Sequence, residues 1–130
     1  MSLTRFQTEN PYEKLWGYSR VTRRGPFIFV SGTTAVDLAT GAIPASLSAY
    51  DQALVAFEEI CKAVIGLGGR KGDVARVRMF VTNEDDFPDV GRALKQVFGD
   101  VGPAATGITG ARFVSPDMKV EIEADALVLD

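Results

Sequence analysis

Lys119-Val120-Glu121-Ile122-Glu123-Ala124-Asp125-Ala126-Leu127-Val128-Leu129 alternates without a break. Val120, Ile122, Ala124, Ala126 and Val128 fall on one side, and Glu121, Glu123, Asp125, Leu127 and Leu129 on the other. A period of two is that of a β-strand whose successive side chains stand on opposite faces of a sheet. One of these faces is wholly apolar and needs a covering layer. The other mixes three carboxylates with two leucines, too charged for a private core and too apolar to be left fully in water.

Reading back from this strand, Ser115-Pro116-Asp117 marks a turn. Ala104 to Phe113 is extended and rich in small residues, and Gly99 to Pro103 breaks the chain before it. Asp73 to Thr82 alternates again, with Val77, Met79 and Val81 against Arg76, Arg78 and Phe80. Phe27-Ile28-Phe29-Val30-Ser31 is aromatic and β-branched, a buried strand. Gly25-Pro26 turns the chain into it from a mixed run around Tyr18 to Arg23. Asp37 to Pro44, with Gly41 inside, reads as a loop.

Two stretches switch period. From about Ser46 to Leu67, Ala53, Phe57, Ile60, Val64 and Leu67 recur at steps of three and four, the apolar stripe of a helix. Ser48 or Ser46 is placed to cap its start, and Gly66, Gly68 and Gly69 to end it. A second helix follows Asp85 or Asp86 as cap, with Pro88 in its first turn and Phe87, Val90, Leu94 and Val97-Phe98 facing inward. The predicted order is β-β-α-β-α-β-β: one α+β domain over residues 1–130, a mixed sheet with two helices on one face. The uncovered face points to an oligomer, with any cleft formed between subunits.

The composition narrows the chemistry. The 130 residues are 46% hydrophobic and 24% charged, an ordinary single-core balance. A net charge of −3 argues against nucleic acid as a partner, since gripping phosphates needs a basic stripe. The short clusters Arg20, Arg23, Arg24, then Arg70, Lys71, and Arg76, Arg78 read as solvated strand edges and loops. The chain has no histidine and a single cysteine, Cys61. That removes Ser-His-Asp and Cys-His catalysis and almost every zinc or transition-metal site, so no cofactor or metal is expected. One cysteine allows no internal disulfide and fits a reducing compartment. No run resembles a signal peptide or approaches the ~18 apolar residues of a membrane helix, so a cytoplasmic protein without a membrane partner is expected.

Several short stretches, taken in order, resemble the Rid/YjgF family, also named for L-PSP endoribonuclease. They are Gly17-Tyr18-Ser19, Phe29-Val30-Ser31-Gly32, Val81-Thr82 leading to Asp86-Phe87, Phe98-Gly99, Pro103-Ala104 and, above all, Val120-Glu121-Ile122-Glu123-Ala124. The resemblance covers nearly the whole chain. It implies a chorismate-mutase-like fold and a homotrimer with a small-molecule cleft between each pair of subunits. It also implies hydrolysis of enamines or imines to a 2-oxo acid and ammonia, while other members are described as ribonucleases, translation inhibitors or chaperone-like proteins.

The resemblance assigns the glutamate at Glu121 to positioning or activating water, and the tyrosine at Tyr18 to closing the cleft, with Ser31 beside them. Taken alone, Glu121 is an outward residue of an alternating strand, Tyr18 a packing tyrosine, and Ser31 a hydroxyl satisfying backbone at a strand end. The chain departs from the family where an arginine follows Pro-Ala and holds a substrate carboxylate: here it is Ala105, followed by Thr106 and Gly107. A cleft-shaping asparagine of the second helix is matched by Gly91. Ala105, Gly91 and Gly107 together are expected to widen the pocket, with Thr106 and Thr109 offering hydroxyls. Arg78 and Arg112 are the candidate replacements for the lost guanidinium, although each reads more readily as an exposed strand arginine.

These residues point to a Rid-like hydrolase or deaminase acting on a C=N bond of a small nitrogenous metabolite, with Glu121 as acid and base. A non-catalytic ligand-binding trimer is the alternative. An L-PSP-type ribonuclease comes third, because RNA cleavage usually draws on a histidine or a metal.

Overall fold

The computed structural model describes residues 3–37, 39–44 and 46–129, so Leu38 of the expected Asp37–Pro44 loop lies outside the described residues. The hairpin at Gly25-Pro26 forms as the sequence predicts. Strands β2 (Val21–Arg24) and β3 (Phe27–Thr33) pair antiparallel, from Val21 opposite Val30 to Arg24 opposite Phe27. Gly25 turns the chain at φ 59°, a left-handed conformation that glycine adopts without a Cβ clash.

Strands β4 (Val74–Val81), β5 (Ala104–Thr109) and β6 (Val120–Leu127) complete a six-stranded sheet in the order β1-β2-β3-β6-β4-β5, where β1 is Leu3–Phe6. β6 lies between β3 and β4 and is antiparallel to both. Its alternation is therefore kept at full length, every second residue buried and the rest half-buried. β4 and β5 run parallel, which requires a crossover, and a helix supplies it.

Two long helices cover one face of the sheet. Helix α2 (Ala49–Gly66) starts at Ser48, whose hydroxyl accepts the Asp51 N–H. Beyond it, Gly68 takes the left-handed turn at φ 91°. Helix α3 (Phe87–Phe98) is entered through a 3-10 turn, Glu84–Asp86, so the expected acidic cap is not made: Asp86 is already helical and its side chain makes no capping bond. Phe57 and Phe98 meet edge to face at 5.6 Å in the core, against Val77, Val81, Val120 and Ile122. Gln52 is buried among them. It donates to the carbonyls of Leu47 (3.3 Å) and Asp117 (3.0 Å) and accepts the Lys119 N–H (3.0 Å), tying α2 to the segment that enters β6.

The N-terminal part corrects the predicted order. Before the hairpin lie β1 and a short helix, α1 (Pro11–Trp16), so the chain runs β-α-β-β-α-β-α-β-β. Asn10 caps α1 by accepting the Tyr12 N–H, Pro11 opens it, and Gly17 closes it at φ 76°. Its anchor is Glu13, fully buried, whose carboxylate accepts the Thr8 N–H at 2.7 Å and the Thr8 hydroxyl at 2.6 Å. The strand read around Tyr18 to Arg23 starts only at Val21, and the extended stretch from Ala104 stops at Thr109, where Gly110 turns at φ 83°.

Candidate functional site

The open face of the sheet is built from cross-strand rows. Glu121 of β6 stands opposite Phe80 of β4, which in turn stands beside Ile108 of β5. On the other side of β6, β3 carries a bulge: Val30 pairs with Ala124 but Thr33 with Ile122, leaving Ser31-Gly32 as two residues against one. The bulge brings Gly32 under the Glu121 side chain. A Cβ at position 32 would stand 2.7 Å from Oε2 and 2.9 Å from Cδ, so only glycine leaves the carboxylate where it is.

Glu121 is half-buried and its carboxylate makes no hydrogen bond among the described residues. Burial pushes its pKa above the ordinary value, the Arg20 guanidinium pulls it back down, and Glu123 adds to the rise. A carboxyl group displaced toward neutrality can hold and release a proton in one cycle.

Ser31 adjoins Gly32 in the bulge and is bonded to the segment that follows Tyr18. The Ser31 hydroxyl donates to the Ser19 carbonyl at 2.7 Å, and the Ser31 N–H donates to the Arg20 carbonyl at 3.0 Å. Tyr18 is half-buried just past α1. Its N–H donates to the Glu13 carbonyl and its own carbonyl accepts from Gln7 Nε2, both at 2.9 Å. Ser31 is thus occupied in fastening β3 to the Tyr18-Ser19-Arg20 segment.

Arg20 is the residue the sequence reading passed over. It is no solvated edge: Nη2 donates to the Gly32 carbonyl at 2.6 Å, and Nε is buried without a partner among the described residues. Arg23 is likewise engaged, donating to the carbonyls of Leu67 (2.7 Å) and Gly25 (2.8 Å). No sequence signal marks Arg20, because its target exists only once β3 bulges.

The β5 candidates are elsewhere. β4 separates β5 from β6, so Ala105, Thr106 and Gly107 lie two strand spacings from Glu121, about 10 Å within one chain. Ala105 and Gly107 register with Val77 and Met79 and share their helix-side face, as Thr109 does with Val81; Thr106 registers with Arg78 on the open face. Within one chain, Gly107 leaves no open space of the kind expected to widen a pocket. The Phe87 ring at the start of α3 lies over it, and a Cβ there would overlap the ring. Gly91 is an exposed residue of α3 with nothing within 4 Å of a Cβ. Neither arginine proposed as a replacement is free on a strand. Arg78 Nη1 is paired with Asp125 Oδ2 at 3.1 Å, and Arg112 is exposed beyond the end of β5.

A recess of about 780 Å³ opens on the helix side, lined by Val21, Val30, Thr33, Val55 and Lys62 among others. Of the group around Glu121 it shares only Arg20. Glu121 itself faces the open side of the sheet, which carries the exposed Phe27 and Phe29 rings, stacked at 6.1 Å between centroids. Cys61 is half-buried, and its thiol is pushed up by burial, against Lys71 and with Glu58. Among the described residues no three histidine, cysteine, aspartate or glutamate side chains stand together as metal ligands, and no helix is long and apolar enough to cross a membrane.

Residues 8–128 match the family model described as Endoribonuclease L-PSP. The 2-iminobutanoate/2-iminopropanoate deaminase of Salmonella typhimurium is 32% identical over 124 residues, 92% of this chain and 94% of that one. Among solved structures, Rv2704 of Mycobacterium tuberculosis, described as a member of the YjgF/YER057c/UK114 family, superposes with a TM-score of 0.83 at 32% identity, covering 98% of this chain and 100% of its own. E. coli TdcF with bound serine superposes with a TM-score of 0.77 at 30% identity, over 86% of this chain and 88% of its own.

Proposed function

This chain belongs to the Endoribonuclease L-PSP family, the Rid/YjgF proteins, and from that membership we propose that it is a hydrolase releasing ammonia from a C=N bond of a small nitrogenous metabolite. The observation carrying this reading is Glu121: a half-buried carboxylate on the open face, raised in pKa, lying over the Gly32 bulge of β3 and without a hydrogen bond among the described residues. In its ionised form it accepts a proton from water as the oxygen adds to carbon. It passes that proton to the imine nitrogen, giving a carbinolamine, R₂C(OH)NH₂, then takes the hydroxyl proton and delivers it to nitrogen as the C–N bond breaks, leaving R₂C=O, NH₃ and the carboxylate again.

The β5 residues lie too far from Glu121 to share a cleft with it in one chain. The reading therefore places each cleft between two subunits of a homotrimer, with Tyr18, Ser31 and Glu121 on one wall and the free edge of β5, with Ala105 and Thr106, on the other. The exposed Phe27 and Phe29 rings, an apolar surface available to a second copy, support this arrangement. A cytoplasmic location belongs to the same proposal.

With Ala105 where the family's carboxylate-holding arginine stands, small 2-imino acids are poor substrates in this reading, and the preferred ligand is larger or lacks an α-carboxylate. The test is ammonia release from 2-iminopropanoate and from bulkier imines generated in place, with the wild type and Glu121→Gln. Turnover above the spontaneous rate that disappears in the variant supports the reading. Ligand binding without turnover of any imine leaves the second reading, a non-catalytic binding trimer, which the absence of Glu121 from the 780 Å³ recess favours.

A further inference from the structure

We propose that Arg20 is the positioning residue of this site: by bonding the Gly32 carbonyl it holds the β3 bulge against the Glu121 carboxylate and sets a fixed positive charge beside it. The inference rests on reading Glu121 as the acid and base, and it names what controls that group.

Three observations converge on Arg20. Its Nη2 reaches the Gly32 carbonyl at 2.6 Å, and Gly32 is the residue whose missing Cβ makes room for Glu121. Its backbone is fixed too, the N–H donating to the Phe6 carbonyl at 2.8 Å and the carbonyl accepting from Ser31, so the side chain leaves from a pinned point. Finally, its Nε is buried with no partner among the described residues. A guanidinium N–H left unsatisfied away from water is unfavourable, and such groups persist where their charge has a use. The half-buried Glu121 carboxylate next to it supplies one.

Among the described residues no other cation competes for the role. On β6 itself, Glu123 is the charged neighbour and opposes ionisation of Glu121. On β4, Arg78 is already paired with Asp125 and the residue opposite Glu121 is Phe80. At the bulge β3 offers only Ser31 and Gly32. Lys119 points away, its Nζ donating to the Leu47 carbonyl at 2.9 Å. A planar fork can bond a carbonyl and keep its charge delocalised toward a neighbour, which a lysine ammonium cannot do in the same geometry.

The test follows the Glu121 carboxyl by carbon NMR through a pH titration of the full chain, assigned with Glu121→Gln, in the wild type, Arg20→Gln and Arg20→Lys. Arg20→Gln is expected to move the Glu121 titration up by about one pH unit, the lower end of what an adjacent opposite charge supplies. Arg20→Lys should move it the same way by less. The pH profile of kcat/KM should shift in parallel. A Glu121 titration that stays in place in the folded variants overturns the proposal, and if Arg20→Gln does not fold, the Arg20→Lys titration decides alone. Full turnover in Glu121→Gln would instead sink the acid–base reading, and the NMR result on Arg20 would still stand or fall by itself.

Discussion

The Phe87 ring occupies the space above Gly107 that a side chain at that position would need. Phe87 is the first residue of α3 and Gly107 a mid-strand residue of β5, so the contact locks the crossover helix onto the edge strand it leads to. Gly107→Ala should destabilise by about 1–3 kcal/mol in urea unfolding, the range of overpacking, although alanine is otherwise the better strand residue. The pair should be strongly non-additive. In Phe87→Ala the Gly107→Ala change should become neutral or stabilising, and additive losses would show that the ring and the glycine do not meet.

Glu121 makes a signed prediction about pH. Its folded-state pKa is raised, so between the ordinary value near 4.5 and the folded value the native state holds more protons than the unfolded one. Stability must then fall as pH rises through that window and level off above it. Glu121→Gln removes this dependence. Its Tm should match the wild type in acid and exceed it at neutral pH, the behaviour of a group kept for function at some expense of stability. A variant less stable than the wild type at pH 7 would contradict the burial of an unpaired carboxylate.

Much of this architecture was legible in the sequence, and the reasons differ by element. β6 could be read because it is central: one face is pressed on helices and the other is half-open, so burial and polarity alternate together from Val120 to Leu127. α2 could be read because its stripe runs five turns. α1 could not, since six residues show no period and its Tyr12, Leu15 and Trp16 are exposed rather than packed. Only the Asn10-Pro11 start and Gly17 hinted at it. In the candidate site, the sequence singles out Glu121 and does not single out Arg20. The former sits on a regular strand, whereas the latter depends on a bulge that no local pattern announces. The space expected at Gly107 is a related case: within one chain the Phe87 ring fills it, and a glycine leaves space only if nothing else in the fold does.

Gln52 is a third point of test. It carries three buried hydrogen bonds between α2 and the loops before α2 and β6, one of them to the Lys119 N–H two residues ahead of Glu121. Gln52→Ala strands the buried Lys119 N–H and the Asp117 carbonyl, while the Leu47 carbonyl keeps its bond from Lys119 Nζ, so a loss of about 2–4 kcal/mol is expected with an unchanged urea m-value. Glu121 should also become more exposed, and its NMR titration should move back toward the ordinary value. A loss below about 1 kcal/mol would mean that water replaces the amide without strain.

The stacked Phe27 and Phe29 rings decide whether the open face is covered. Both side chains are exposed, at 49% and 43%, and they stand beside Leu127 and Asp125 of β6, on the same face as Glu121. Two adjacent aromatic rings in water are unfavourable for a lone chain, at about 25 cal/mol per Å² of apolar surface, and become favourable once a second copy removes that surface from solvent. Phe29→Glu places a charge there while leaving the helix-side core untouched. It should give a folded chain, by circular dichroism, that sediments as a monomer, whereas the proposed assembly has the wild type sediment as a trimer. If ammonia release disappears in that monomer while the Glu121 titration persists, the cleft needs two subunits and each supplies one wall. Retained turnover in the monomer would place the whole site within one chain. An intact trimer would move the assembly surface away from this face and leave the exposed rings to be covered by something else.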